Sequence, residues 1–354
     1  MKGKWMIKCS SVNIKELSKT TGVNPIMVNI LVNRGIKTPY DIDRFVNASL
    51  NDLYDPFLMQ DMDKAIEIIK EGIKHGKKIA IYGDYDVDGV TSTVILYKAL
   101  KRCKGNFIYH IPNREDEGYG MNSERIKSLK EEGVDIILSC DNGISAIEQV
   151  KLAKELGMKV IITDHHELSF KEDENGERHY ILPEADAVVN PKRGDCSYPF
   201  KMLCGAGIAF KFAQALYSVM NVNEDEIYEL LQYAAIGTIC DVVDLVDENR
   251  IIAKNGLKIL KNTENLGLKA LIKETNIEGK DLNSYHIGYI IGPCINATGR
   301  LETAKLSVEL LLAEDERTAE DLASKLHKLN VERQEMTIKG VEDIEEIIEN
   351  TPLK

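Results

Sequence analysis

The sequence predicts an α/β fold: a five-stranded, mainly parallel sheet with helices on both faces, a helical segment before it and a long linking helix after it. Three observations predict this. Short β-rich runs recur between Lys77 and Pro191, most of them followed by ten or more residues of helical periodicity. The 354 residues are 44% hydrophobic and 29% charged, the balance of a chain that buries a core. The stretch from about Glu314 to Asn350 is rich in Glu, Lys, Leu and Ile and contains no Gly or Pro apart from Gly340, so it reads as one long charged helix.

Each element follows from its residues. Lys15 to about Asp55 is helical and amphipathic, broken near Gly22, Gly35 and Pro39. The strands are KKIAIYG (77–83), NFIYHI (106–111), VDIILSC (134–140), KVIITD (159–164) and ADAVVNP (185–191). Alternation with helices implies βαβ crossovers and hence a parallel sheet covered on both sides. Helices dominate from Gly205 to Lys261 and again from Ala304, and YHIGYIIGPCI (285–295) is expected as a short strand-like piece between them.

Composition excludes several classes of function. Lys plus Arg number 45 against 57 Asp plus Glu, a formal net charge of −12, which is the opposite of a sequence-independent duplex binder. Any contact with a polyanion must be local or bridged by metal. No stretch approaches the roughly 18 apolar residues of a membrane span and no signal peptide is evident, so a cytoplasmic protein without membrane contact is expected. Seven scattered cysteines without a C-x-x-C pair argue for reduced thiols rather than disulfides or a zinc ribbon.

In an open parallel sheet, ligands bind beyond the carboxyl ends of the strands. There the sequence places Asp84, Asp86 and Asp88, then Asp141, then Asp164-His165-His166, and a further group around Asp241 interrupts the later helical segment. One such Asp is commonly a cap or turn residue. Several at one edge concentrate negative charge that bound cations must offset. Oxygen and imidazole donors without thiolate suit Mn²⁺ or Mg²⁺, and two such ions point to phosphoester hydrolysis. Gly89, Thr91 and Ser92 read as small residues that let a helix N-terminus approach a phosphate. His110, His179 and His286 are weaker candidates, and His75 is expected in solvent.

The segments IYGDYDVDGVTS (81–92), SCDNGIS (139–145), TDHH (163–166) and GTICDVVDL (237–245) resemble the DHH phosphoesterase superfamily. REDEGYGMN (114–122), VVNPKR (188–193), LCGAGIAFK (203–211) and HIGYIIGPCINATGRL (286–301) narrow the resemblance to its RecJ family of single-strand-specific exonucleases. The resemblance implies two Mn²⁺ or Mg²⁺ ions and 5′→3′ release of mononucleotides from single-stranded DNA, in recombination and repair. It implies Asp86 on the first ion, Asp88, His165 and Asp241 on the second, and Asp141 bridging both. His166 then contacts the scissile phosphate or positions the nucleophile, and Arg114, Asn296 and Arg300 hold phosphate, with Lys192 and Lys211 as weaker candidates.

Two departures carry expectations. Tyr82 stands four residues before Asp86, where many superfamily members have His, so a looser first ion is expected, and Asp84→Ala should act mildly. Cys294 replaces a commonly basic residue in the GPxINAxGRL segment. The organisation expected is a helical segment over 1–56, a DHH domain over 57–312 and a linking helix over 313–354 toward a second domain and OB-fold not found in this sequence. Partners implied by the resemblance are single-stranded DNA, a single-strand-binding protein and a RecQ-type helicase, with the chain itself a monomer. Two alternatives stay open: a DHH phosphodiesterase of short oligonucleotides or cyclic dinucleotides, and a non-catalytic DHH scaffold for a replication partner.

Overall fold

A computed structural model describes residues 11–173 and 178–351; Trp5 and Cys9 lie outside the described residues. The chain opens with α1 (Ile14–Thr21), α2 (Pro25–Asn33) and α3 (Pro39–Asn47), each started by a side chain, of Asn13, Asn24 or Thr38, that accepts a first-turn amide. These helices close over a small core of their own, including Leu17, Val28, Leu31 and Ile42.

The sheet follows. α4 (Met62–Lys74) leads into β1 (Lys78–Tyr82), α5 (Val87–Arg102), β2 (Asn106–His110), α6 (Ser123–Glu131), β3 (Ile136–Cys140), α7 (Ile147–Glu155) and β4 (Lys159–Thr163). A hairpin, β5 (Ser169–Glu172) with β6 (Arg178–Ile181), precedes β7 (Ala187–Val189). The large sheet runs β2-β1-β3-β4-β7 and every pair in it is parallel. Alternate residues divide between two cores. Ile79, Ile81, Leu138 and Ile161 join the larger one with α4, α5 and α8 (Gly205–Val219). Ala80, Tyr82, Ile137 and Ile162 join the smaller one under α6 and α7. The register sets Tyr82 beside Ser139 and Cys140 beside Thr163, so neighbouring strands end level. The order reverses between β1 and β3, which opens a crevice there.

Beyond the sheet come α9 (Leu231–Cys240), α10 (Asp247–Lys261), α11 (Leu266–Glu274), α12 (Ser284–His286), α13 (Gly292–Leu301), α14 (Lys305–Leu311) and α15 (Glu316–Asn350). Residues 285–295 are helical rather than strand-like: α12 passes through a π-helical turn, Ile287–Ile291, directly into α13. A short apolar run fits either period, and burial decides between them, because Ile287, Ile291, Cys294 and Ile295 turn inward at helical spacing. The β5–β6 hairpin is absent from the expectations above, although the sequence carries the strong hairpin pair Asn175-Gly176 between its strands. The first half of α15 buries Ala319, Ala323 and Leu326. No described helix is long and apolar enough to cross a membrane.

The entry helices are tied to the main core by buried charge. Lys211 and Glu248, both fully buried, pair at 3.1 Å. Glu248 also accepts from the Tyr54 amide at 2.9 Å and the Tyr198 hydroxyl at 2.6 Å, while Lys211 donates to the Tyr54 carbonyl. Arg44 on α3 reaches Asp247 at 2.9 Å. Lys211 is therefore structural, and the expectation that it contacts phosphate is corrected. Removing one member of a buried pair strands the other charge, at about 3–5 kcal/mol. Glu248→Ala should lose about that much stability in urea unfolding, and adding Lys211→Met should restore part of it; an unchanged midpoint for Glu248→Ala would contradict the role given to this pair.

Candidate metal centre

The level strand ends bring the acidic residues into one crevice. After β1 the chain turns through Asp84 and Asp86, and Asp86 caps α5 by accepting from the Gly89 amide at 3.0 Å. A Cβ on Gly89 would strike the Asp84 backbone, so this glycine serves a tight turn and not an open phosphate cradle. Thr91 and Ser92 are buried in α5, so the expectation that the small size of these three residues opens the helix N-terminus to a phosphate is corrected. Asp88, in the first turn of α5, has both oxygens filled by amides at the start of α8, Gly205 at 2.6 Å and Ala206 at 2.8 Å. α8 can approach this closely because Gly205 lacks a Cβ, which would otherwise overlap the Asp141 side chain.

Asp141 follows β3 in the left-handed region (φ 61°) and is nearly inaccessible. His165 Nε2 lies 3.1 Å from Asp141 and 3.7 Å from Asp88, and its Nδ1 lies 3.8 Å from Asp241. Two groups of ligand atoms therefore adjoin. Oxygens of Asp84, Asp86 and Asp141 lie within 4.8 Å of one another, as do donor atoms of Asp141, His165 and His166. Asp88, Asp241 and the Cys204 thiol form a further cluster of the same size. The sequence-predicted residues Asp86, Asp88, Asp141, His165, His166 and Asp241 are thus all brought together.

Burial sets the electrostatics. It pushes Asp84 up to about 7, with help from Asp86, and pushes Asp88 and Asp241 up to about 6. Burial and then Asp88 raise Asp141 well above the usual carboxylate range. Asp84 Oδ1 and Asp141 Oδ1 are buried without a hydrogen-bond partner, His165 Nε2 being near Asp141 but not along a bonding direction. Among the described residues no lysine or arginine pairs with these orphaned oxygens, which sit in a cluster of like charges. Burial holds the Cys204 thiol protonated, so the hard, oxygen-rich donor set persists although a sulfur is present.

Asp164, by contrast, is an orienting group. Burial opposes its charge, but the hydrogen bond from His166 outweighs this and keeps Asp164 below the usual range. It accepts from His166 Nδ1 at 2.7 Å and from the amides of His165, His166 and Ile144. That bond raises His166 in turn. His166 Nε2 lies 3.3 Å from the Tyr119 hydroxyl.

The predicted phosphate residues sit around the rim. Arg114 lies 5.7 Å from the Tyr85 ring and, like Arg300, is exposed and bears on Tyr85 electrostatically. Asn296 accepts from the Val87 amide at 3.0 Å, so α13 buttresses the turn that carries Asp86. Lys192 pairs with Glu167 at 2.9 Å and lowers Asp241 by its charge. Tyr82 is fully buried, and its hydroxyl accepts from the Asn122 amide at 3.1 Å, away from the carboxylates. His110 is paired with Glu117 at 2.9 Å and takes no part in the cluster. Sequence reasoning named Asp84 and Asp164 at the strand ends but gave neither a place in the ligand set, and it missed Tyr119, which reaches His166 only through the fold.

Comparison with known proteins agrees with this geometry. Residues 78–238 match the DHH family, N-terminal domain. The single-stranded-DNA-specific exonuclease RecJ of Bacillus subtilis is 42% identical over 340 residues, covering 96% of this chain and 41% of that protein. The Escherichia coli protein of the same name is 33% identical over 88% of this chain and 54% of its own length. The chain thus spans about half the length of the curated relatives it matches. A crystal structure of exonuclease RecJ bound to manganese superposes with a TM-score of 0.71 at 31% identity, over 80% of this chain and 69% of that one. RecJ of Thermus thermophilus in complex with Mn²⁺ gives 0.77 at 28% identity, over 93% of this chain and 45% of that one. With these matches added to the strand-end carboxylates and the Asp-His-His turn, the chain belongs to the RecJ family of DHH proteins.

Proposed function

We propose that this chain is the catalytic part of a metal-dependent exonuclease that degrades single-stranded DNA from its 5′ end to mononucleotides, in recombination and repair. The observation that carries this is the pair of adjoining ligand clusters at one sheet edge, with Asp141 common to both sides. Asp84, Asp86 and Asp141 would hold one ion, and Asp88, Asp141, His165 and Asp241 the other. Asp84 would then complete the first ion's shell, where Tyr82 offers no histidine. Mn²⁺ or Mg²⁺ fits the donor set, and when bound, two such ions activate water and stabilise charge on the phosphate oxygens.

The chain's own residues do the rest. Asp164 fixes His166 with Nδ1 committed to a carboxylate, which leaves Nε2 toward the cleft. Its raised pKa suits it to hold a proton for the departing oxygen. Arg114 and Arg300, flanking Tyr85, supply guanidinium forks for a phosphate. The amides of Gly205 and Ala206 keep Asp88 in one orientation.

With Mn²⁺, the protein should release mononucleotides from a 5′-labelled single strand before a 3′ label is lost, and spare duplex. Asp141→Ala should lower the rate by roughly a thousandfold or more, since each tenfold is about 1.4 kcal/mol of transition-state stabilisation. Release from the 3′ end first, or an active Asp141→Ala, would contradict the assignment.

The raised carboxylates also give a signed pH dependence. A group whose folded pKa lies above its unfolded value stabilises fully at low pH, and that contribution is lost as pH rises through the folded pKa. For Asp84, Asp88 and Asp241 the loss falls between about pH 4 and pH 7. The rise in melting temperature on adding Mn²⁺ should therefore be larger at pH 8 than at pH 5, and Asp84→Asn should raise the metal-free melting temperature at pH 8. Equal Mn²⁺ increments at both pH values would count against the site.

Arg114, Arg300 and Lys192 are the rim cations near the centre. Three phosphate contacts at about −0.7 each give a salt slope of roughly −2 for single-strand affinity. A titration across a salt series should find that shallow slope; one near −5 would place the strand on a different surface.

A further inference from the structure

A stacked pair of tyrosines stands uncovered next to the carboxylate crevice. Tyr285 on α12 and Tyr289 in the π-helical turn lie with ring centroids 5.1 Å apart and planes 24° from parallel. They are 60% and 72% exposed. Aromatic rings of this size usually find a packing partner when a fold offers one, and π-helical turns occur frequently at functional sites. Beside the rings a cavity of about 450 Å³ is lined by Ile239, Cys240, Val242, Val243 and Leu245 together with Gly288. Among the described residues no charged side chain lines it.

The cavity and the metal centre share one turn of chain. Asp241, at the end of α9, sends its carboxylate to the crevice, and the next residue, Val242, stands at the cavity, 85% exposed. Val242 adopts φ 60°. A β-branched side chain in the left-handed region is strained, and such strain persists where the surroundings impose it. The same helical stretch continues into α13, which carries Asn296 and Arg300. A strand that places a phosphate at the metal centre thus has an apolar, aromatic shelf on the other side of the Asp241–Val242 turn.

We infer that Tyr285 and Tyr289 form a stacking platform for a base of the single strand engaged at the metal centre. The absence of charge excludes a phosphate subsite and fits the face of a nucleobase, which stacks on aromatic rings irrespective of sequence. This deepens the exonuclease assignment and rests on it. The platform also makes good a shortage in the rim, whose few cations grip little of the strand, by adding sequence-tolerant contact through the bases.

The test combines binding and turnover. Single strands with 2-aminopurine at successive positions from the 5′ end are mixed with the Mn²⁺-loaded protein in a stopped-flow instrument, and fluorescence is read before cleavage. Quenching should centre on one position, be lost in the Tyr285→Ala/Tyr289→Ala double variant and be kept in Tyr289→Phe. The double variant should raise KM for a normal strand roughly tenfold, the scale of one lost base stack, to the value for a strand abasic at that position. Both rings are exposed, and thermal melting of the variants checks their fold. If the unaltered protein degrades DNA while the double variant keeps its quenching and KM, the platform is wrong and the nuclease assignment stands. If the unaltered protein neither quenches nor degrades the strand, the nuclease assignment fails and the platform with it.

Discussion

Like charge held out of water is the constraint around which this fold is built. Asp84, Asp88 and Asp141 are all but inaccessible, and Asp86 and Asp241 close the ring around them. Placing several carboxylates together in a poorly solvated crevice costs far more than any side chain nearby returns. The described residues put no lysine or arginine into ion-pair contact with any of the five. What they supply instead is a set of backbone dipoles, the amides of Gly205, Ala206 and Gly89, which fix orientation without neutralising the charge. A site of this kind is complete only with cations, and the architecture is arranged to keep it ready for them.

Much of the remainder follows from the need to hold those carboxylates level. Parallel register ends the strands together, so that turns after β1, β3 and β4 deliver their side chains to one crevice. α8 meets this edge through Gly205, and α13 braces the β1 turn through Asn296. Farther out, the Lys211–Glu248 pair and the Arg44–Asp247 contact fasten the entry helices to the same body. Charge is thus used in two ways: paired in the interior, where it locks segments together, and unpaired at the strand ends, where it recruits ions.

The sheet and its metal edge were legible in the sequence because their signals are local. Strand runs, the D-x-D-x-D turn and Asp-His-His each sit within a few residues and at predictable strand ends. Residues 285–295 misled because a short apolar run rich in Ile fits both periods, and only the inward spacing of Ile287, Ile291 and Cys294 resolves it. Lys211 misled for a different reason: a lysine in a glycine-containing segment carries no mark of whether it faces solvent or a buried Glu248, 37 residues away. Tyr82 turns its hydroxyl to the Asn122 amide, and the oxygen that lies within the cluster instead is the orphaned one of Asp84, a placement that spacing alone does not reveal. Contacts made only by the fold, such as Tyr119 with His166, leave no trace in spacing.

The central claim is that two ions share Asp141. Anomalous diffraction at the manganese edge, from crystals of this chain soaked in Mn²⁺, tests it most directly. Two peaks about 3.5–4 Å apart are predicted, one bounded by Asp84, Asp86 and Asp141 and the other by Asp88, Asp141, His165 and Asp241. A single peak, or a pair in which Asp141 touches only one ion, would contradict the account.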